Sequence, residues 1–171
     1  MQPKKVFSVE CPIARSLDCI GEWWSLLILR DAFQGLTRFD EFQKSLGIAP
    51  NILSRRLAHL TGSGLFERRV YSARPPRSDY VLTAKGRDLF PVVMAIFAWG
   101  NKHLATKGET VLIASRKSAR RLDPILVDAH SKKPITLIDT ALVPGPRATT
   151  ATHQRLAMIQ AKRLGQATAK G

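Results

Sequence analysis

Cysteine is scarce in this 171-residue chain. Cys11 and Cys19 are the only two, and none follows residue 19. Two cysteines do not make a disulfide framework, and with none after Cys19 the C-terminal extension lacks four-ligand zinc spacing. No apolar run approaches the roughly 18 residues that a membrane span needs. The first residues, "MQPKKVFSVECP", carry two lysines but no long apolar core after them, which argues against a secretory leader. Neither phosphate-binding loop, GxxxxGK[ST] or GxGxxG, is present. His59, His103, His130 and His153 are scattered, with no Ser/His/Asp or Cys/His constellation around them. These absences predict a reduced, cytoplasmic protein that is not an enzyme and holds no metal or cofactor.

Acidic residues are also few. Thirteen Asp and Glu face 27 Lys and Arg, leaving a formal net charge of +14. Such an excess points to nucleic acid or an anionic membrane surface. The charge is unevenly placed. Residues 1–54 and 88–105 are each neutral, whereas 55–87 carry Arg55, Arg56, Arg68, Arg69, Arg74, Arg77, Lys85 and Arg87 against only Glu67 and Asp79. The rest of the excess lies beyond residue 105.

Hydrophobic spacing predicts a helix from Pro12, with Ile13, Leu17 and Ile20 on one face, and a second in "EWWSLLILRDAF" ending at Gly35. Thr37 is placed to cap a third, "RFDEFQKSL", which Gly47 ends. A fourth, "NILSRRLAHLTGSG", turns Ile52, Leu53, Leu57 and Leu60 inward and Asn51, Ser54, Arg55 and His59 outward. Two strand-like runs, "LFERRVYS" and "YVLT", flank the stiff basic tip "ARPPRSDY". Thr83 is then placed to cap one long helix, "AKGRDLFPVVMAIFAWGNKHL". Two short helices around a tight turn, followed by a basic hairpin, read as a winged helix-turn-helix. Asn51, Ser54 and Arg55 are the expected base contacts, Arg38, Arg56 and Lys85 the expected phosphate contacts, and Arg74 and Arg77 the wing. Arg56 has an alternative, because Leu53 and Leu57 flank it and would turn it to the scaffold.

From Leu89 to Trp99 no residue is charged. A helix apolar all round must be covered all round. A second subunit over Val93, Ile96, Phe97 and Trp99 is one cover; the C-terminal tail folding back is the other. That tail alternates short β-prone runs with turn signals over 106–148 and ends in a basic stretch, 149–171, read as partly helical or disordered. The fold class is therefore α+β, mainly helical: a winged helix-turn-helix over 1–105, a β-rich extension over 106–148 and a basic tail.

The segments "CP" (11–12), "LDCIGEWWSLLILRD" (17–31), "GLTRFDEFQKSLGIAPNILSRRLAHLTGSGLFERRVY" (35–71), "PPRSDYVLT" (75–83) and "GRDLFPVVMAIFAWG" (86–100) resemble the HxlR-type family of winged-helix transcription regulators. The resemblance spans 11–104 and implies a homodimer on operator DNA, with the first and last core helices as the dimer surface. It departs from the family pattern at "IGEWW", where Glu22 and Trp23 replace Gly and Lys. In longer members the extension resembles a cysteine-bearing zinc ribbon; here 127–133 retain only His130. Several relatives carry an oxidant- or electrophile-sensing cysteine near Cys11, which makes Cys11 the candidate regulatory thiol, with a small-molecule ligand as the other possible signal. A nonspecific basic DNA-binding protein is the competing function.

Overall fold

A computed structural model describes residues 10–74 and 76–168. The leaderless N-terminus expected from 1–9, Pro75 of the wing and the end of the basic tail at 169–171 lie outside the described residues. Two compact units are distinguished, Arg15–Ile125 and the described parts of Met1–Ala14 with Leu126–Gly171. The first unit thus runs on past residue 105.

Its helices are α1 (Pro12–Ile20, whose first three residues fall in the other unit), α2 (Trp23–Phe33), α3 (Phe39–Leu46) and α4 (Pro50–Gly62). The hairpin is β1 (Phe66–Ala73) with β2 (Pro76–Leu82), and α5 (Ala84–Arg87) and α6 (Phe90–Leu104) follow. The core is made where the apolar faces meet. Ile28 and Leu29 of α2, Phe42 of α3, and Leu53, Leu57 and Leu60 of α4 are completely buried. Phe66 closes the floor edge-to-face on Phe42, with centroids 6.4 Å apart.

Several local expectations need correction. Thr37 does not cap α3: Arg38 is the N-cap residue, and the Thr37 and Arg38 backbone N–H groups both donate to Glu41 Oε2 at 2.9 Å. These two hydrogen bonds hold the Glu41 carboxyl below its ordinary range. The single long helix is two, because Pro91 has no N–H for the Arg87 carbonyl; α5 stops there and Pro91 sits in the first turn of α6. Thr83 does cap, accepting from the Gly86 N–H at 3.0 Å. On α1 the buried residues are Ala14 and Ile20, whereas Ile13 and Leu17 lie exposed.

Gly86 marks the tightest approach. A Cβ there would lie 2.2 Å from the Leu65 carbonyl oxygen, which also accepts from Thr83 N–H at 3.1 Å. Backbone cannot yield as a flexible side chain does. Gly86→Ala should destabilise the domain by about 1–3 kcal/mol or more, measurable by urea denaturation, and wild-type stability would show that this crossing can relax.

The β-rich extension is reduced to two single bridges, Ala114↔Arg121 and Val127↔Pro134. Each closes a turn of the same design, 13 residues apart in sequence by the numbering of these bridges. In the first, Ser115 N–H bonds Arg120 O and Ala119 N–H bonds Ser115 O; in the second, Asp128 N–H bonds Lys133 O and Lys132 N–H bonds Asp128 O. Ala119 and Lys132 take matching positive φ angles of 53° and 58°. Ser115 Oγ and Asp128 Oδ2 each cap their own turn, accepting backbone N–H groups from Ser118 and Ser131. Each pairing adds one further backbone hydrogen bond, Leu122 N–H to Ile113 O and Ile135 N–H to Leu126 O, and no strand forms. In the second unit α7 spans Thr150–Thr168, longer than the short helix expected, and Glu10 accepts from the Thr149 and Thr152 hydroxyls at its N-terminus. That placement suits the helix dipole.

Candidate nucleic-acid interface

α4 begins where Pro50 fills the first helical turn, after α3 has ended on Gly47 in the left-handed conformation, φ +61°. The turn between them is therefore short, and α4 crosses α3 with its leucines down. Asn51, Ser54 and Arg55 are left exposed in a row on the opposite face. Asn51 folds its amide oxygen onto the Ile52 N–H at 2.9 Å, leaving its NH2 as a donor. Among the described residues Arg55 makes no ion pair.

Arg56 turns away, as its flanking leucines hinted. Its side chain is only 15% exposed and lies 3.5 Å from Glu22 Oε1. The Glu22 that distinguishes "IGEWW" is thus its ion-pair partner, and Arg56 leaves the set of surface phosphate contacts because its guanidinium is packed against the scaffold. His59 is tied back too: Nε2–H lies 3.0 Å from the Asp18 carbonyl and 3.2 Å from that of Cys19, anchoring α4 to the end of α1. The sequence placed His59 outward by face, and nothing in its spacing marked these acceptors.

The hairpin is tighter than its sequence suggested. β2 already starts at Pro76, so Arg77 pairs with Ser72 inside the ladder and only Arg74 of the two wing arginines stands at the turn. Proline is tolerated as the first residue of a strand. The register slips between Val70 and Ser72, a bulge that redirects the tip. The base of the wing is bolted to α3. Tyr80 N–H donates to Thr37 O at 2.7 Å, Thr37 Oγ1 donates to Asp79 Oδ1 at 3.1 Å, and Arg38 bridges to Asp79. The Arg38 guanidinium lies 3.7 Å from Asp79 and 5.1 Å over the Tyr71 ring.

Not all of the basic block is available. Arg69 bonds Glu67 through two nitrogens and lowers its carboxyl pKa, Arg68 bonds Ser78, and Arg87 bonds the Leu82 carbonyl. Lys85 is exposed but rests Nζ on the Ser63 carbonyl at 2.7 Å. Arg55, Arg74 and Arg77 have no ion-pair partner among the described residues. Within the 55–87 block, positive charge without an ion-pair partner among the described residues therefore lies on α4 and the wing.

Along α6, Val93 is buried within its own subunit and leaves the expected dimer surface; nearer the start of the helix, Phe90 packs edge-to-face on Phe33. Phe97 is half-buried. Ile96 and Trp99 remain about half uncovered, at 48% and 58%. Cys11 stands half-exposed immediately before α1, and both cysteines are free thiols. Among the described residues no helix is long and apolar enough to cross a membrane, and no three His, Cys, Asp or Glu side chains converge as a metal site.

Comparison with known proteins agrees with this arrangement. The sequence model of the HxlR-like helix-turn-helix matches residues 19–108. A Mycobacterium tuberculosis protein named as an uncharacterized HTH-type transcriptional regulator is 38% identical over 135 residues, covering 78% of this chain and 85% of its own. A Pseudomonas aeruginosa structure described as a candidate transcription factor is 50% identical with a TM-score of 0.63, covering 85% of this chain and all of that one. The reduced form of the redox regulator HypR is 32% identical with a TM-score of 0.53, over 57% of this chain and 97% of that one. These relatives are regulators rather than enzymes. The chain belongs to the HxlR-like helix-turn-helix family of DNA-binding transcriptional regulators.

Proposed function

We propose that the protein acts as a homodimer on a specific duplex operator, with α4 in the major groove and the wing on the flanking backbone. The observation that carries this reading is the exposed row Asn51, Ser54 and Arg55, set opposite leucines that are completely buried. Donors and acceptors of this kind match base edges, while Arg38, Lys85, Arg74 and Arg77 supply phosphate or minor-groove contacts. The exposed Ile96 and Trp99 on α6, and Ile13 and Leu17 on α1, are apolar surfaces suited to a second copy. Selection of bound duplexes from a random pool tests the proposal. It should return an inverted repeat with half-sites about 34–36 Å apart or a multiple of that spacing. Binding that bulk DNA competes away equally would instead favour the nonspecific alternative.

The wing makes a separable contribution. Arg74→Ala with Arg77→Ala should weaken binding to every duplex and lower the slope of log affinity against log salt by about 0.9 for each phosphate no longer neutralised. The exposed tip leaves folding intact. An unchanged slope would remove the wing from the interface.

Cys11 is the proposed regulatory thiol. It is a half-exposed free thiol immediately before α1, open to reagents from solvent. The similarity to HypR, named a redox regulator, supports the same reading. Peroxide, diamide or a quinone should reduce operator binding by the native protein and leave Cys11→Ser unaffected. Equal responses in both would exclude Cys11 and turn attention to a ligand.

A further inference from the structure

The C-terminal half of α6 and the segment after it line an open cleft of about 440 Å³ that no contact with DNA requires. All its walls belong to the Arg15–Ile125 unit. The volume lies in the range of small-molecule sites, which combine apolar walls with a few placed polar groups. Phe97, Leu112, Leu122 and Pro124 provide the apolar walls.

The charged groups divide into committed and free. Arg121 spends Nη1 and Nη2 on the Glu109 carboxylate at 2.6 and 3.1 Å, and Nε on Asp123 at 2.9 Å. These bonds lie in the guanidinium plane, use three of its five N–H groups, and leave its flat faces, which stack on aromatic rings. They also direct both Glu109 oxygens to Arg121. Asn101 donates one amide N–H to the Val111 carbonyl at 2.9 Å, which fixes that wall. Lys102 is the one lining cation that makes no ion pair among the described residues.

We propose that this cleft binds a planar aromatic carboxylate, its ring against the apolar wall and the Arg121 face, its carboxylate on Lys102. An aliphatic acid would leave the guanidinium face unused, and a cation would meet Lys102. The site stands independently of the DNA-binding reading, because its test contains no DNA.

The test uses the full chain and naphthalene carboxylate, compared with the neutral naphthalene carboxamide, both titrated by calorimetry. The acid should bind about tenfold tighter than the amide, the ratio expected for one modest charged contact. Added salt should weaken the acid alone. Lys102→Gln should bring the two affinities within about twofold, and Lys102→Arg should restore the difference. Thermal unfolding of each variant checks that the fold persists. Absence of saturable acid binding, equal affinities for acid and amide, or a preference that survives Lys102→Gln would each overturn the proposal.

Discussion

Arg55→Ala should cost the protein about 1–3 kcal/mol of operator affinity, roughly 5- to 150-fold, and relax discrimination at the base pair it reads. The expectation rests on position. Arg55 projects from the face of α4 opposite Leu53 and Leu57, and no acidic side chain among the described residues neutralises it. Its removal therefore leaves the core unchanged and affects only the complex. Asn51→Ala should act similarly at a neighbouring base. Arg56→Ala should behave differently: it strips Glu22 of its partner and empties a packed position, so the loss should appear first in unfolding. Quantitative binding to the selected operator and to single-base variants, beside urea unfolding, distinguishes the two classes. If Arg55→Ala binds every variant as the native protein does, α4 does not read the bases.

On the proposed homodimer, Ile96→Lys with Trp99→Lys should leave monomers and lower operator affinity at least about a hundredfold, because two linked half-sites become independent ones. Both side chains are about half uncovered on α6, so charges there meet water in a lone subunit and bury only against a second. Val93→Lys provides the contrast. At 7% exposure it would drive an unpaired ammonium into its own subunit and unfold the domain. Sedimentation equilibrium reports the mass, and circular dichroism the fold. A double variant that still sediments as a dimer would place the subunit contact elsewhere, with Ile13 and Leu17 of α1 as the next surface to alter.

The amino-acid sequence by itself determined the order of elements and the face of α4 that points outward. Both follow from periodicity: leucines at 53, 57 and 60 leave 51, 54 and 55 on the other side whatever they pack against. The break between α5 and α6 was also written there, in the missing N–H of Pro91, although the uncharged run through it suggested continuity. The 13-residue spacing of the two tail turns is visible only once Ala119 and Lys132 are known to share a positive φ, which neither residue advertises. Tertiary structure alone decided which charges are free. Arg56 and Arg55 are adjacent and chemically identical, yet one meets Glu22 across a helix pair and the other meets solvent. His59 finds carbonyls some forty residues away, as the separations of 41 and 40 attest. Val93 and Ile96 lie in one apolar run but part, one buried at 7% exposure and the other 48% exposed. Periodicity assigns a residue to a face of its own element; what lies opposite that face is settled by chain segments far away in sequence, and local pattern carries no record of them.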